Sequence, residues 1–115
     1  MTFPFAYCGV ASGPGSIGLS GALSTSSGTS PVASSARNIV GAGTLRFQNL
    51  ATDSGTPQYN FNSAGFTNIT EGMELAVAHN DTLAVRATLP TTGQRATFQI
   101  LGNGNYLENV ALEKL

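Results

Sequence analysis

Between Glu71 and Leu101 the side chains alternate with a period of two. Met73, Leu75 and Val77 interleave with Glu74, Ala76 and Ala78. Leu83, Val85 and Ala87 interleave with Ala84, Arg86 and Thr88, and Ala96, Phe98 and Ile100 repeat the pattern. A helix would need apolar residues three and four apart, so this spacing instead gives each of three strands one apolar face. Asn80-Asp81 and Pro90-Thr-Thr-Gly93 separate the runs with turn-forming residues. Three alternating runs joined in this way predict an antiparallel meander.

The flanking sequence extends the same reading. Thr44–Gln48 alternates as a strand, Asp53-Ser-Gly-Thr-Pro57 reads as a turn or loop, and Gln58–Phe61 reads as a second short strand. Phe66–Thr70 leads into the alternating region. Gly102-Asn-Gly-Asn105 is a strong turn signal, because Asn and Gly accept positive φ, and Tyr106–Leu112 then forms a last strand. No stretch sustains a helical period. The expected fold class is all-β: a single β-sandwich, jelly-roll-like, of about six to seven short antiparallel strands, with a small barrel as the alternative.

The first third of the chain differs in kind. Phe3, Phe5 and Tyr7 share one side of any extended conformation, and Pro4 between them bars a central strand position. These aromatics predict an apolar arm that docks on this subunit or on another, with a lean to the intermolecular role. From Gly9 to Ala36 the chain is mostly Gly, Ser, Ala and Thr, with isolated Val10, Ile17, Leu19, Leu23 and Val32, a flexible-linker composition. If ordered, such a segment must be held by contacts with the rest of the fold or with neighbouring subunits. The organisation expected is an arm and Gly/Ser/Ala-rich segment over residues 1–37 and a compact β-domain over residues 38–115.

Charge bears on partners. Asp, Glu, Lys and Arg make up 10% of the 115 residues, with a net charge of -1, against a usual share of roughly a quarter. The cations are scattered at positions 37, 46, 86, 95 and 114, which makes no phosphate-tracking stripe, so nucleic acid is not an expected partner. A surface this poor in charge suits a protein covered by neighbours, or an extracellular one, better than a cytosolic enzyme. Cys8 is the single cysteine, which leaves no intramolecular disulfide and no multi-cysteine metal site. The opening Met-Thr-Phe-Pro-Phe has no basic n-region, and no apolar run is long enough for a signal peptide or a membrane span. A protein made and assembled in the cytoplasm is the expectation.

Catalytic chemistry finds little support. His79 is the only histidine and falls where an alternating run meets the Asn80-Asp81 turn; a surface or interface role fits it better than general-base catalysis. A conventional zinc site within one chain would lack ligands. Asp53, Glu71, Glu74, Asp81, Glu108 and Glu113 are dispersed and read as solvated surface charge. Gly13-Pro-Gly-Ser-Ile-Gly18 has the spacing of a dinucleotide fingerprint, but a proline interrupts it and no helix is expected to follow. Asn68-Ile-Thr70 and Asn80-Asp-Thr82 satisfy the glycosylation sequon, which matters only in a eukaryotic secretory protein. The expectation is a non-enzyme with no catalytic, cofactor or metal residues, whose candidate interaction residues are Phe3, Phe5 and Tyr7.

With its apolar N-terminal stretch, its Gly/Ser/Ala segment over residues 1–36 and its strand pattern over 44–112, the chain resembles small viral structural proteins. Among them it is most similar to the decoration, or cement, proteins of tailed-bacteriophage capsids. That resemblance implies a virion protein that binds the outside of a capsid, often as a trimer, with the major capsid protein as partner. It carries over no particular functional residues. Two other readings fit the same sequence: a carbohydrate-binding β-sandwich, as in a tail-fibre tip or lectin, and a fibre- or pilus-like self-assembling subunit.

Overall fold

A computed structural model describes residues 16–23 and 25–115. Its elements are β1 (Ile17–Leu19), β2 (Ser26–Gly28), β3 (Val32–Gly41), β4 (Gly43–Thr52), β5 (Gln58–Phe61), β6 (Thr67–Asn68), β7 (Glu74–Val77), β8 (Thr82–Thr88), β9 (Arg95–Gly102) and β10 (Asn105–Lys114). They form two five-stranded sheets, β1-β3-β8-β5-β6 (sheet I) and β2-β10-β9-β4-β7 (sheet II). Every pairing is antiparallel except β2 with β10. The all-β sandwich expected from the alternation is therefore what the chain forms, with ten strands among the described residues, several only two or three residues long.

The apolar set of each run lines the space between the sheets. Ile39, Leu83, Val85 and Ala87 from sheet I meet Leu45, Phe47, Ala96, Phe98, Ile100, Val110 and Leu112 from sheet II, all buried. Phe47 lies tilted against Tyr59 of the opposite sheet, ring centroids 5.7 Å apart, and meets Phe98 edge-on at 5.7 Å. Burying an aliphatic or aromatic side chain of this size contributes about 1.5–3 kcal/mol, so this inner layer is what holds the sheets together. At one end Ile17 sits over Gly102, where a Cβ would lie 2.3 Å from the Ile17 Cγ2.

The meander does not form. β7 pairs with β4, β8 lies between β3 and β5, and β9 lies between β10 and β4, so no two of the three runs are neighbours. The connections explain this. Asp81 N donates to Ala78 O, closing a turn after β7, but Asn80 N donates to Ile39 O and Ile39 N donates to Asp81 O. These bonds dock the link on β3 and send the chain into sheet I. After β8, Leu89 N donates to Pro31 O and Gly93 N to Lys114 O, which returns it to sheet II. Alternation fixes which face of a strand is buried, but it does not choose the strand's partner.

The described part of the Gly/Ser-rich stretch, residues 16–23 and 25–36, is built into the sandwich. β1, β2 and most of β3 lie before residue 38, and Ile17, Leu23 and Ala33 are buried in the core, so a boundary at 37/38 falls inside β3. Contacts within this chain hold the described residues of this stretch. β3 runs beside β8, with Ala33 opposite Ala87 and Ser35 opposite Val85. β2 belongs to sheet II yet approaches β3 of sheet I: a Cβ on Gly28 would lie 3.4 Å from Val32 O, and Ser26 Oγ donates to Ser34 O. Small residues permit that close approach, so a composition typical of linkers serves here to close the sandwich.

The β9–β10 hairpin follows its sequence. Asn103 (φ 51°) and Gly104 (φ 86°) occupy the two central positions, the left-handed pair that suits the strand twist. Asn103 also ties the hairpin to β4: its Oδ1 accepts from Thr44 N at 2.8 Å, and its N donates to Thr44 O at 2.8 Å. Gly43 leaves the room, since a Cβ there would lie 2.1 Å from Asn103 Oδ1.

Candidate functional site

Phe3, Phe5, Tyr7 and Cys8 lie outside the described residues, as do the first three positions of the Gly13–Gly18 motif, whose described remainder runs into β1. The residue that follows them, Ser16, immediately precedes β1, an edge strand of sheet I. The sequon asparagines Asn68 and Asn80 are both exposed.

His79 is exposed in the β7–β8 link, and its Nδ1 accepts from Gly41 N at 3.0 Å. That bond fixes the imidazole at the point where β3 ends. Among the described residues no three His, Cys, Asp or Glu side chains converge as a metal site would require.

Three of the carboxylates are more than solvated surface charge. Glu71 accepts from Asn49 N at 2.9 Å and from Leu50 N at 3.0 Å. It thereby clasps the β4 bulge between Gln48 and Ala51, where Asn49 takes φ 58°. The Leu50 amide, and next the Asn49 amide, hold the Glu71 carboxyl below its ordinary value, and the Arg46 charge adds a smaller push in the same direction. Asp81 accepts from Ala78 N at 2.9 Å and from Asn62 Nδ2 at 3.1 Å, and Asp53 accepts from Arg95 N at 2.9 Å. Each satisfies backbone or amide donors at a turn or bulge. The sequence carries only a faint signal for this, such as Glu71 followed by Gly72 at φ 78°.

A concavity lies on the outer face of sheet II. Asn49, Thr97, Gln99, Asn109 and Ala111 line a shallow groove of about 320 Å³ over the backbone of Phe98 and Val110. A second depression of about 290 Å³, lined by Ala51, Thr52, Asp53, Arg95 and Thr97, shares Thr97 with it. The bulge in β4 creates the first groove by turning Asn49 toward β9. There Asn49 Nδ2 donates to Gln99 Oε1 at 2.5 Å, and Gln48 Nε2 donates to the same oxygen at 3.2 Å. The lining is neutral and contains no nucleophile–base pair.

With the geometry described, the chain stands as an all-β sandwich with amide- and hydroxyl-lined outer surfaces. Comparisons with protein-family models, with curated proteins and with solved structures give no match to it. Among the described residues no helix is long and apolar enough to cross a membrane.

Proposed function

We propose that this chain is a non-enzymatic structural subunit, a decoration protein that attaches to the outside of a tailed-phage capsid through contacts repeated over the shell. Its partner is the major capsid protein, its own assembled state a trimer, and its location the virion. Repetition makes modest single contacts sufficient, because many identical attachments act on one particle.

The observation that carries this reading is where the few charges go. Asp53, Glu71 and Asp81 each accept from backbone N–H groups at turns or a bulge. The Arg86 guanidinium lies 3.7 Å from the Phe66 ring centroid, and its Nε donates to Gln58 Oε1. Lys114 Nζ donates to Thr29 O, and Arg37 to Ala36 O. At 10% of the residues, charged side chains are sparse for keeping a free monomer dispersed, which suits a surface that neighbours cover. The aromatic residues Phe3, Phe5 and Tyr7 precede an edge strand, where an extended segment can pair with or lie across another subunit.

Sedimentation velocity at several concentrations tests the reading, on the full chain and on a chain beginning at Ser16, which keeps β1. The full chain is expected as a closed oligomer that binds assembled capsid shells, and the shortened chain as a folded monomer. Phe3→Ala with Phe5→Ala should weaken assembly more than it lowers the melting temperature. Monomers in both forms at every concentration overturn the proposal, and open-ended polymers replace it with a fibre subunit.

A further inference from the structure

The strand register on sheet II sets out a second surface with its own chemistry. Directly opposed residues share a face, and Ala96, Phe98 and Ile100 of β9 are buried, so the alternate residues Thr97, Gln99 and Leu101 face out. Across β10, β9 and β4, Asn109, Gln99 and Gln48 form one outward row, and Ala111, Thr97 and Ala51 the next. On the other side of the amide row, Leu101 stands between Tyr106 of β10 and Arg46 of β4, with Glu74 of β7 beyond. Successive rows on one face are roughly 7 Å apart. Tyr106 is 57% exposed, a large ring left open to solvent beside a row of primary amides.

The amides are oriented rather than free to turn. Gln99 Oε1 accepts from both Asn49 and Gln48, so the Gln99 Nε2 hydrogens and the Asn49 Oδ1 are left to face the groove as donor and acceptor. Asn49 is itself held by the Glu71 clasp on its backbone. Thr97 adds a hydroxyl, Asn109 a further amide, and Ala111 an apolar patch of floor. No charged side chain lines this groove; Arg95 and Asp53 belong to the neighbouring depression.

We propose that the outer face of sheet II, centred on Gln99, Asn49, Asn109 and Tyr106, binds a neutral oligosaccharide. Vicinal hydroxyls both donate and accept, and so match side-chain amides. The C–H face of a pyranose matches an exposed ring and an alanine methyl. A phosphate or sulfate would find no cation among the residues lining the groove, Arg46 and Arg95 standing in other rows of the face, and a purely apolar ligand would leave its oriented amides without partners. The second depression, continuous through Thr97, extends the surface along the strands and allows more than one sugar unit to lie on it. This site goes beyond the attachment role and does not depend on it.

The test is an NMR titration of the full chain with neutral gluco-, galacto-, manno- and N-acetylhexosamine oligosaccharides. Concentrations up to about 10 mM reveal a site of millimolar affinity. At least one series is expected to shift the side-chain amides of Asn49, Gln99 and Asn109 together with the backbone of β9 and β10. Asn109→Ala and Tyr106→Ala alter exposed side chains and leave the core intact; each should weaken binding roughly three- to tenfold. Ala84→Thr, on the outer face of sheet I, should leave it unchanged. The proposal fails if no neutral glycan shifts these resonances, if the shifts map to sheet I, or if both sheet II variants bind as the parent does.

Discussion

Phe47 and Tyr59 provide the sharpest test of the sandwich, because they belong to opposite sheets. Their ring centroids are 5.7 Å apart with an interplanar angle of 37°, and Phe47 also meets Phe98 at 5.7 Å and 85°. Phe47 is fully buried, so Phe47→Leu keeps an apolar side chain in place while removing both ring contacts. Aromatic pairs contribute about 0.5–1.5 kcal/mol each beyond burial, so losing two predicts a destabilisation of about 1–3 kcal/mol. At its upper end that is about a fifth or more of the 5–15 kcal/mol typical of a domain. Tyr59→Leu removes the contact with Phe47 and a second one with Phe61, whose ring is 5.5 Å away.

In the double variant the Phe47–Tyr59 contact is lost once rather than twice. The double-mutant cycle should therefore close with a coupling of about 0.5–1.5 kcal/mol. Urea denaturation of the parent and the three variants measures it, provided the m-values agree. Phe47→Leu with Tyr106→Leu is the control. Tyr106 lies on the outer face, so that pair should add to within about 0.3–0.5 kcal/mol. Additivity of the Phe47–Tyr59 pair at the same level would refute the packing of the two sheets through this contact.

Two further outcomes follow from the backbone clasp and the closed end of the sandwich. The folded Glu71 pKa is lowered, so its contribution to stability is present above the unperturbed value of 4.5 and is lost as pH falls through the folded value. Urea midpoints against pH should fall through that acid window in the parent, and Glu71→Gln should flatten the step while lowering the midpoint at neutral pH. Gly102→Ala places a Cβ 2.3 Å from Ile17 Cγ2 and 2.7 Å from Leu107 Cδ1. Overpacking of this kind costs about 1–3 kcal/mol, read as a lower melting temperature; Gly104→Ala at the open hairpin tip changes strain but meets no neighbour within 4 Å.

What the sequence reveals here is the face of each strand, and what it conceals is the strand's partner. Leu83, Val85 and Ala87 point inward as their alternation requires, and Asn103-Gly104 forms the two-residue turn that its residue types favour. The pairing of β7, β8 and β9 depended on main-chain bonds to Ile39, Pro31 and Lys114, which are remote in sequence. No local pattern encodes such contacts. The same limit hid β3: its inward Ala33 and Ser35 gain their place from Ala87 and Val85, far along the chain. The groove on sheet II was illegible for a related reason. It needs a bulge in β4, a clasp from Glu71 and the register of β9 with β10 before Asn49, Gln99 and Asn109 become neighbours.

Scarcity of charge gives the carboxylates and amides of this fold different tasks. A carboxylate can accept two backbone amides at once, so Glu71 secures a bulge that a neutral side chain would hold less firmly. Asp81 does the same at the link between the sheets, where it gathers Ala78 and Asn62. With those carboxylates bound to framework donors, the groove on the outer face of sheet II is lined by neutral side chains, while Arg46, Glu74, Arg95 and Glu113 occupy other rows of that face. Gln99 depends on this arrangement directly: Glu71 places Asn49, Asn49 orients Gln99, and Gln99 presents its amide to the groove. Loss of the Glu71 carboxylate should therefore reach the groove as well as the fold. Glu71→Gln is expected to broaden or shift the Gln99 side-chain amide at a pH and temperature where the protein is still folded. An unmoved Gln99 signal would show that the clasp and the groove are independent, and that β9 alone fixes the amide.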